Sequence, residues 1–159
     1  MSIDLWLAFA VFALATSVTP GPNNTLLMAS GLNSGIVRTL PFLAGIQIGF
    51  NSMLILAALG LGQLFDRLPA VQTAMRLAGG ALLVWFAWKL ATAPTGKSAA
   101  CARSMLGFTE GALFQMLNPK AWIMCITAVT VFLPPDAGWT VLPLAVAIWI
   151  AIGTPCNLL

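Results

Sequence analysis

Thr19-Pro20-Gly21-Pro22-Asn23-Asn24 lies inside an apolar segment that carries no charged residue from Leu5 to Val37. The two prolines remove two backbone donors and crowd the preceding turn, and Gly21 adds freedom between them. The stretch predicts a helix broken in mid-segment. In lipid such a break survives only where protein or a water-filled cavity covers the freed backbone groups. Two asparagines follow at once, and each can both donate and accept hydrogen bonds. A broken helix with amide side chains at membrane depth is the pattern of a solute site in a secondary transporter. The plain alternative is a kinked packing helix, since Pro and Gly are common in membrane helices.

The whole chain fits a bilayer. Of its 159 residues, 60% are hydrophobic and 7% are charged, with net charge +3 and mean hydropathy +0.96. Soluble domains carry about 25% charged residues. The composition predicts an all-α integral membrane protein. Its basic residues form no run and no patch interleaved with exposed aromatics, which argues against nucleic acid. Histidine is absent, so Ser-His-Asp and Cys-His triads and His-ligated metal sites are excluded. Cys101, Cys125 and Cys156 are far apart and form no CxxC, so neither a disulfide framework nor a metal site is expected. No cofactor is implied, and with no His, few carboxylates and no nucleophile–base pair to hand the chain does not read as an enzyme.

Outward from the break, five apolar segments follow one another. The first starts near Leu5 and reaches about Leu32; Asp4, with no Lys or Arg before Arg38, makes it a mature span and not a cleaved signal. Asn33-Ser34-Gly35 reads as a turn. The second covers Leu40 to Leu64 and contains Gly45 and Gly49, a GxxxG spacing that lets helix backbones approach closely. Gln47 and Asn51 share a face of it, as interhelical glue or as solute-lining groups. Asp66-Arg67-Leu68-Pro69 is a polar turn. The third segment spans Val71 to Thr92, with Trp85, Trp88 and Lys89 suited to a membrane interface. Residues 93–107 form the polar connection between two halves, about 1–92 and 108–159, of a single transmembrane domain. The fourth segment runs from Phe108 to Leu133 and the fifth from Trp139 to Leu159. No polar flank follows Leu159, and the expectation is a truncated chain whose full form has a sixth span.

Lys and Arg bias orients the bundle. Connections after segments one and three hold Arg38, Lys89, Lys97 and Arg103, against Arg67 and Arg76 on the other side. The excess places the first and third connections in the cytoplasm and the N-terminus outside.

Segment four reads as a worn copy of segment one, with Asn118-Pro119-Lys120 matching Pro22-Asn23. A repeat offset by three spans is inverted across the bilayer, and inverted repeats place the substrate site between paired broken helices. Lys120 sits about twelve residues into its segment, roughly 18 Å along a helix and near the middle of a core about 30 Å thick. A lysine there costs at least about 2.5 kcal/mol, so it is expected to face a cavity or a partner. Glu110 is roughly 15 Å away along a continuous helix, too far to be that partner. The alternative makes both residues interfacial, with a shorter span starting after Lys120.

Thr19-Pro20-Gly21-Pro22-Asn23-Asn24, Leu43-Ala44-Gly45…Gly49-Phe50 and Leu117-Asn118-Pro119-Lys120-Ala121 together resemble the LysE/RhtB family of bacterial amino-acid exporters. The run from Val84 to Thr95 resembles the cysteine and O-acetylserine branch of that family. The resemblance implies a multi-pass protein of the bacterial inner membrane with about six hydrophobic segments, generally driven by the proton gradient. It implies export of small neutral amino acids such as cysteine, O-acetylserine, homoserine or threonine. Pro20, Gly21, Pro22 and Asn23 match its first signature, and Asn118, Pro119 and Lys120 its second. Helix-end dipoles at the breaks would meet the zwitterion, Asn23, Asn24 and Asn118 would hydrogen-bond it, and Lys120 would pair with its carboxylate. Glu110, the only acidic residue between Arg67 and Asp136, is the candidate for proton coupling. The expected partners are the amino acid and the lipid bilayer, and a homo-oligomer is compatible with both. The alternatives are a channel or transporter for another small solute, or an inactive truncated membrane protein.

Overall fold

The computed structural model describes residues 2–61, 69–92, 106–133 and 140–158. These form helices and no strand among the described residues. Helix α1 (Ile3–Val18) is capped by Ser2, whose Oγ accepts from the Leu5 N–H at 3.4 Å. It stops where Thr19-Pro20 leaves the helical path. Helix α2 (Pro22–Ser34) restarts with Pro22 in its first turn, where a missing N–H costs nothing. The two helices are bent by 56°. Helix α2 runs on through Asn33 and Ser34, so the turn expected there is compressed into Gly35 alone. Gly35 has φ 80° and ψ 159°, a backbone region open essentially only to glycine.

Helix α3 (Ile36–Leu56) therefore begins earlier than the Leu40 expected from hydropathy. It continues as a wide π-type turn over Ala57–Leu61, ended by Gly60 at φ 95°. Ile36–Gly60 is 25 residues long and contains a window of mean hydropathy 1.8, long and apolar enough to cross a membrane, and α1 with α2 passes the same test as one bent span. Helix α4 covers Pro69–Ala91. The fourth segment is divided into α5 (Phe108–Met116) and α6 (Pro119–Thr127), with a π-type turn over Ala128–Phe132. Helix α7 (Leu142–Leu158) starts later than Trp139. Asp66-Arg67-Leu68, the connection at 93–105 with Lys97, Cys101 and Arg103, and the segment 134–139 lie outside the described residues, as does the Arg76 side chain.

Helix α3 is the centre of the packing, and its closest partner is α5. Glycines set that approach. A Cβ on Gly49 would lie 3.0 Å from the Gln115 Cβ and 3.1 Å from the Ala112 carbonyl oxygen. One on Gly45 would collide with the Phe108 carbonyl, and one on Gly111 with the Phe42 carbonyl. On one flank, Phe42, Phe86 and Phe114 are fully buried between α3, α4 and α5. On the other, Phe9 of α1 and Trp149 of α7 lie 5.9 Å apart, and Trp149 stacks on Phe50 at 4.5 Å. The outside stays apolar: Leu32 is 82% and Val37 78% exposed. Such a surface is a liability in water and suits hydrocarbon.

Candidate functional site

The gap between α1 and α2 and the gap between α5 and α6 face each other. Each break leaves backbone groups without a helical partner, and side chains from across or beside the break satisfy several of them. The Lys120 Nζ donates to the Thr19 carbonyl at 3.0 Å. The Asn24 Nδ2 donates to the Ser17 carbonyl at 3.0 Å, also at the end of α1. At the end of α5, the Trp122 indole N–H donates to the Met116 carbonyl at 2.9 Å. Asn118 caps α6: its Oδ1 accepts from the Lys120 backbone N–H at 3.1 Å. An amide chain then ties the two gaps together. Asn118 Nδ2 donates to Asn23 Oδ1 at 3.3 Å, and Asn23 Nδ2 donates to Gln115 Oε1 at 2.8 Å.

Two helix C-termini and two N-termini thus converge. Each end carries about half an elementary charge, negative at the C-termini of α1 and α5 and positive at the N-termini of α2 and α6. The Lys120 ammonium sits on the negative end of α1. A cavity of about 40 Å³ lies between these elements, room for about three waters. Asn23, Asn24, Gln47, Gln115, Asn118 and Lys120 supply its polar wall; Ile46, Phe50, Met124 and Trp149 supply its apolar wall. Lys120 is the only charged residue lining it among the described residues.

The sequence motifs are brought together, with differences in role. Gly21, Pro22, Asn23, Asn24, Asn118 and Lys120 line the cavity, whereas Pro20 and Pro119 shape the breaks without lining it. Gly21 also makes room for Lys120: a Cβ there would lie 3.0 Å from Nζ. Lys120 therefore borders the cavity, as the expectation of a cavity or partner required. Glu110 does not line it. Its Oε1 accepts from Lys89 Nζ at 3.0 Å, and its Oε2 accepts from the Gly107 N–H at 3.1 Å, capping α5. Lys89 in turn lies 4.7 Å from the Trp85 ring centre. Lys89 thus ties α4 to α5 as well as sitting over the Trp85 ring. Gln47 Nε2 donates to Thr154 Oγ1 of α7 at 2.6 Å, an interhelical bond of the kind expected, and the residue also lines the cavity. Asn51 turns back to the Gln47 carbonyl at 2.7 Å.

Gln115 is the residue that sequence reading missed. It is 2% exposed and stands one helical turn before Asn118, on the same side of the segment. That spacing of two amides in mid-segment was the available signal. A second, larger groove of about 630 Å³ runs between α2, α3 and the last turn of α7, lined mainly by residues such as Leu27, Met28, Leu32 and Leu40. Among the described residues its wall offers a zwitterion no charged side chain.

The model of the family described as "LysE type translocator" matches residues 14–154, a stretch that contains both breaks and every residue of the amide chain. The chain belongs to the LysE family. As a LysE type translocator it is a transport protein of the membrane and not an enzyme. The cysteine/O-acetylserine efflux proteins of Escherichia coli (strain K12) and Shigella sonnei (strain Ss046) are each 35% identical to this LysE chain over 136 residues, covering 86% of it and 69% of the relative. That of Shigella flexneri serotype 5b (strain 8401) is 35% identical over 129 residues, covering 81% of this chain and 66% of its own. No solved structure matches.

Proposed function

We propose that this protein exports small neutral amino acids, cysteine and O-acetylserine first among them, across the bacterial inner membrane. The observation that carries the reading is the meeting of the two helix breaks at a cavity with one ammonium, several amides and, among the described residues, no carboxylate. Lys120 suits a substrate carboxylate, and the amide oxygens and helix C-termini suit an ammonium. The wall of Phe50, Met124 and Trp149 suits a short, weakly polar side chain such as a thiol or an acetyl ester. The names of the relatives point to the same substrates. Homoserine and threonine fit the same chemistry, with a hydroxyl in place of the thiol.

The route follows from the same geometry. The space between the breaks holds about three waters, too little for a continuous water-filled pore, and both breaks border it, so their relative movement would open or close it. That favours alternating access over an open channel. In this reading α1–α2 and α5–α6 are the paired elements of an inverted repeat within one domain of two halves. The N-terminus lies outside, and the connection at 93–107 lies in the cytoplasm. Proton antiport would drive the cycle, with Glu110 as the carboxylate and Lys89 as the cation released when it takes a proton. Loaded cells test the reading: cysteine and O-acetylserine efflux should rise with expression and collapse with a protonophore. Efflux equal to that of cells lacking the protein would refute the export function, and efflux indifferent to the protonophore would refute antiport.

A further inference from the structure

Gln115 lies with its carbonyl oxygen committed and its amide nitrogen free. Oε1 accepts from Asn23. Nε2 has no acceptor among the described residues, and it is not sealed from the cavity that Gln115 lines. An amide donor that borders such a space without a protein acceptor is completed by whatever enters it, water or solute. The helix ends are unequal in the same sense. Asn118 caps α6, but α2 opens on Gly21 with no side-chain cap, leaving the start of α2 as the uncapped positive end. Lys120 donates once to Thr19, and an ammonium has three donors. Three groups short of acceptors therefore border one small space, and no acidic side chain lines it among the described residues.

We infer that Gln115 is a substrate-binding residue of this site: its Nε2 group, with the open start of α2 and the Lys120 ammonium, receives the carboxylate of the amino acid. This rests on the exporter reading and goes further by fixing which end of the substrate Gln115 reads. Holding Asn23 through Oε1 keeps the amide from turning over, so the donor stays aimed at the cavity. One residue thus links the amide chain between the breaks to recognition of the group that all amino acids share. The substrate side chain is left to the wall of Phe50, Met124 and Trp149.

The test is a ratio that general damage to the fold does not move. In inside-out vesicles carrying the full chain, labelled cysteine uptake is competed with cysteine and with its carboxamide. Wild type should prefer the acid strongly. Gln115→Glu keeps an acceptor for Asn23 but replaces the donor with an oxygen that repels a carboxylate and attracts a carboxamide. The preference for acid over amide should fall by about tenfold or more. Gln115→Met, which carries no polar group, should lower it in the same direction and covers the case in which the Glu variant fails to reach the membrane. An unchanged ratio in whichever variant is made would overturn the assignment while leaving export intact. Absence of saturable cysteine uptake by wild type would overturn both readings.

Discussion

Lys120 Nζ bonds the Thr19 carbonyl at 3.0 Å, joining the second break to the first across 101 positions of sequence. The ammonium caps the end of α1 at the point where a substrate carboxylate would compete for it. Two terms set what its removal does to stability. The lost charge-assisted bond is worth about 1.5–3 kcal/mol, and removing a lysine from membrane depth returns about 2.5 kcal/mol or more. They nearly cancel. Lys120→Met should therefore reach the membrane at normal abundance and fail to export. Efflux of cysteine from loaded cells, with abundance read by blot, decides it: normal export at normal abundance would remove the carboxylate-pairing role.

Asn23 has a different profile. Both ends of its amide are engaged, to Gln115 and to Asn118. Asn23→Ala leaves Gln115 Oε1 without its donor and Asn118 Nδ2 without its acceptor. At about 1 kcal/mol per bond the loss is about 2 kcal/mol, and it falls on the contact between the breaks. The expected result is a clear fall in thermal stability in detergent, together with weaker export. A variant that melts with wild type would mean that the amide chain does not hold the breaks together.

These differences mark where sequence reading stops. The breaks themselves were legible, because Pro20, Pro22 and Pro119 act on their own backbone and need no knowledge of neighbours. So was the close approach at Gly45 and Gly49, because a GxxxG spacing advertises one bare face. What a polar side chain does once the helices meet was not. Gln115 finds Asn23 across 92 positions, and Asn24 turns back on α1 instead of pointing only at solute. Glu110 takes Lys89 from a separate helix, a partner that periodicity along α5 cannot reveal. Pairing of that kind is set by helix crossing, and only the assembled bundle fixes it.

The adjacent glycines of α4 give a paired test of packing. A Cβ on Gly79 would lie 2.7 Å from the Leu117 carbonyl, beside the second break, whereas one on Gly80 meets nothing within 4 Å. Gly79→Ala should destabilise by about 1–3 kcal/mol through overpacking against backbone. Gly80→Ala should be neutral, or gain up to about 1 kcal/mol from helix propensity. Melting curves of the two variants in one detergent make the comparison. Equal effects would show that α4 does not sit against Leu117 as described.

Glu110 separates a structural from a coupling role. Glu110→Gln keeps an acceptor for the Gly107 N–H and loses the charge opposite Lys89. If Glu110 carries the coupled proton, the variant should still exchange labelled for unlabelled cysteine but should not accumulate it under an imposed pH gradient. If Glu110 only caps α5 and anchors α4, accumulation should persist with a modest loss of stability. Gradient-driven accumulation at the wild-type level would end its candidacy.

The charge of the cavity wall predicts what the protein refuses. With Lys120 as its one charge and no acid beside it among the described residues, a substrate with a cationic side chain would bring a second positive charge close to the ammonium. At an effective dielectric near 20 and about 6 Å separation, that repulsion is roughly 3 kcal/mol, more than a hundredfold in affinity. Lysine and arginine should neither be exported nor compete with cysteine at concentrations where serine and threonine do. Met124 lies on the apolar wall, so Met124→Glu supplies the missing counter-charge without touching the amide chain. It should narrow or reverse the preference for neutral over cationic substrates. Competition curves for cysteine, threonine and lysine on both proteins check this, and strong competition by lysine on the wild type would show that the cavity's charge does not set its selectivity.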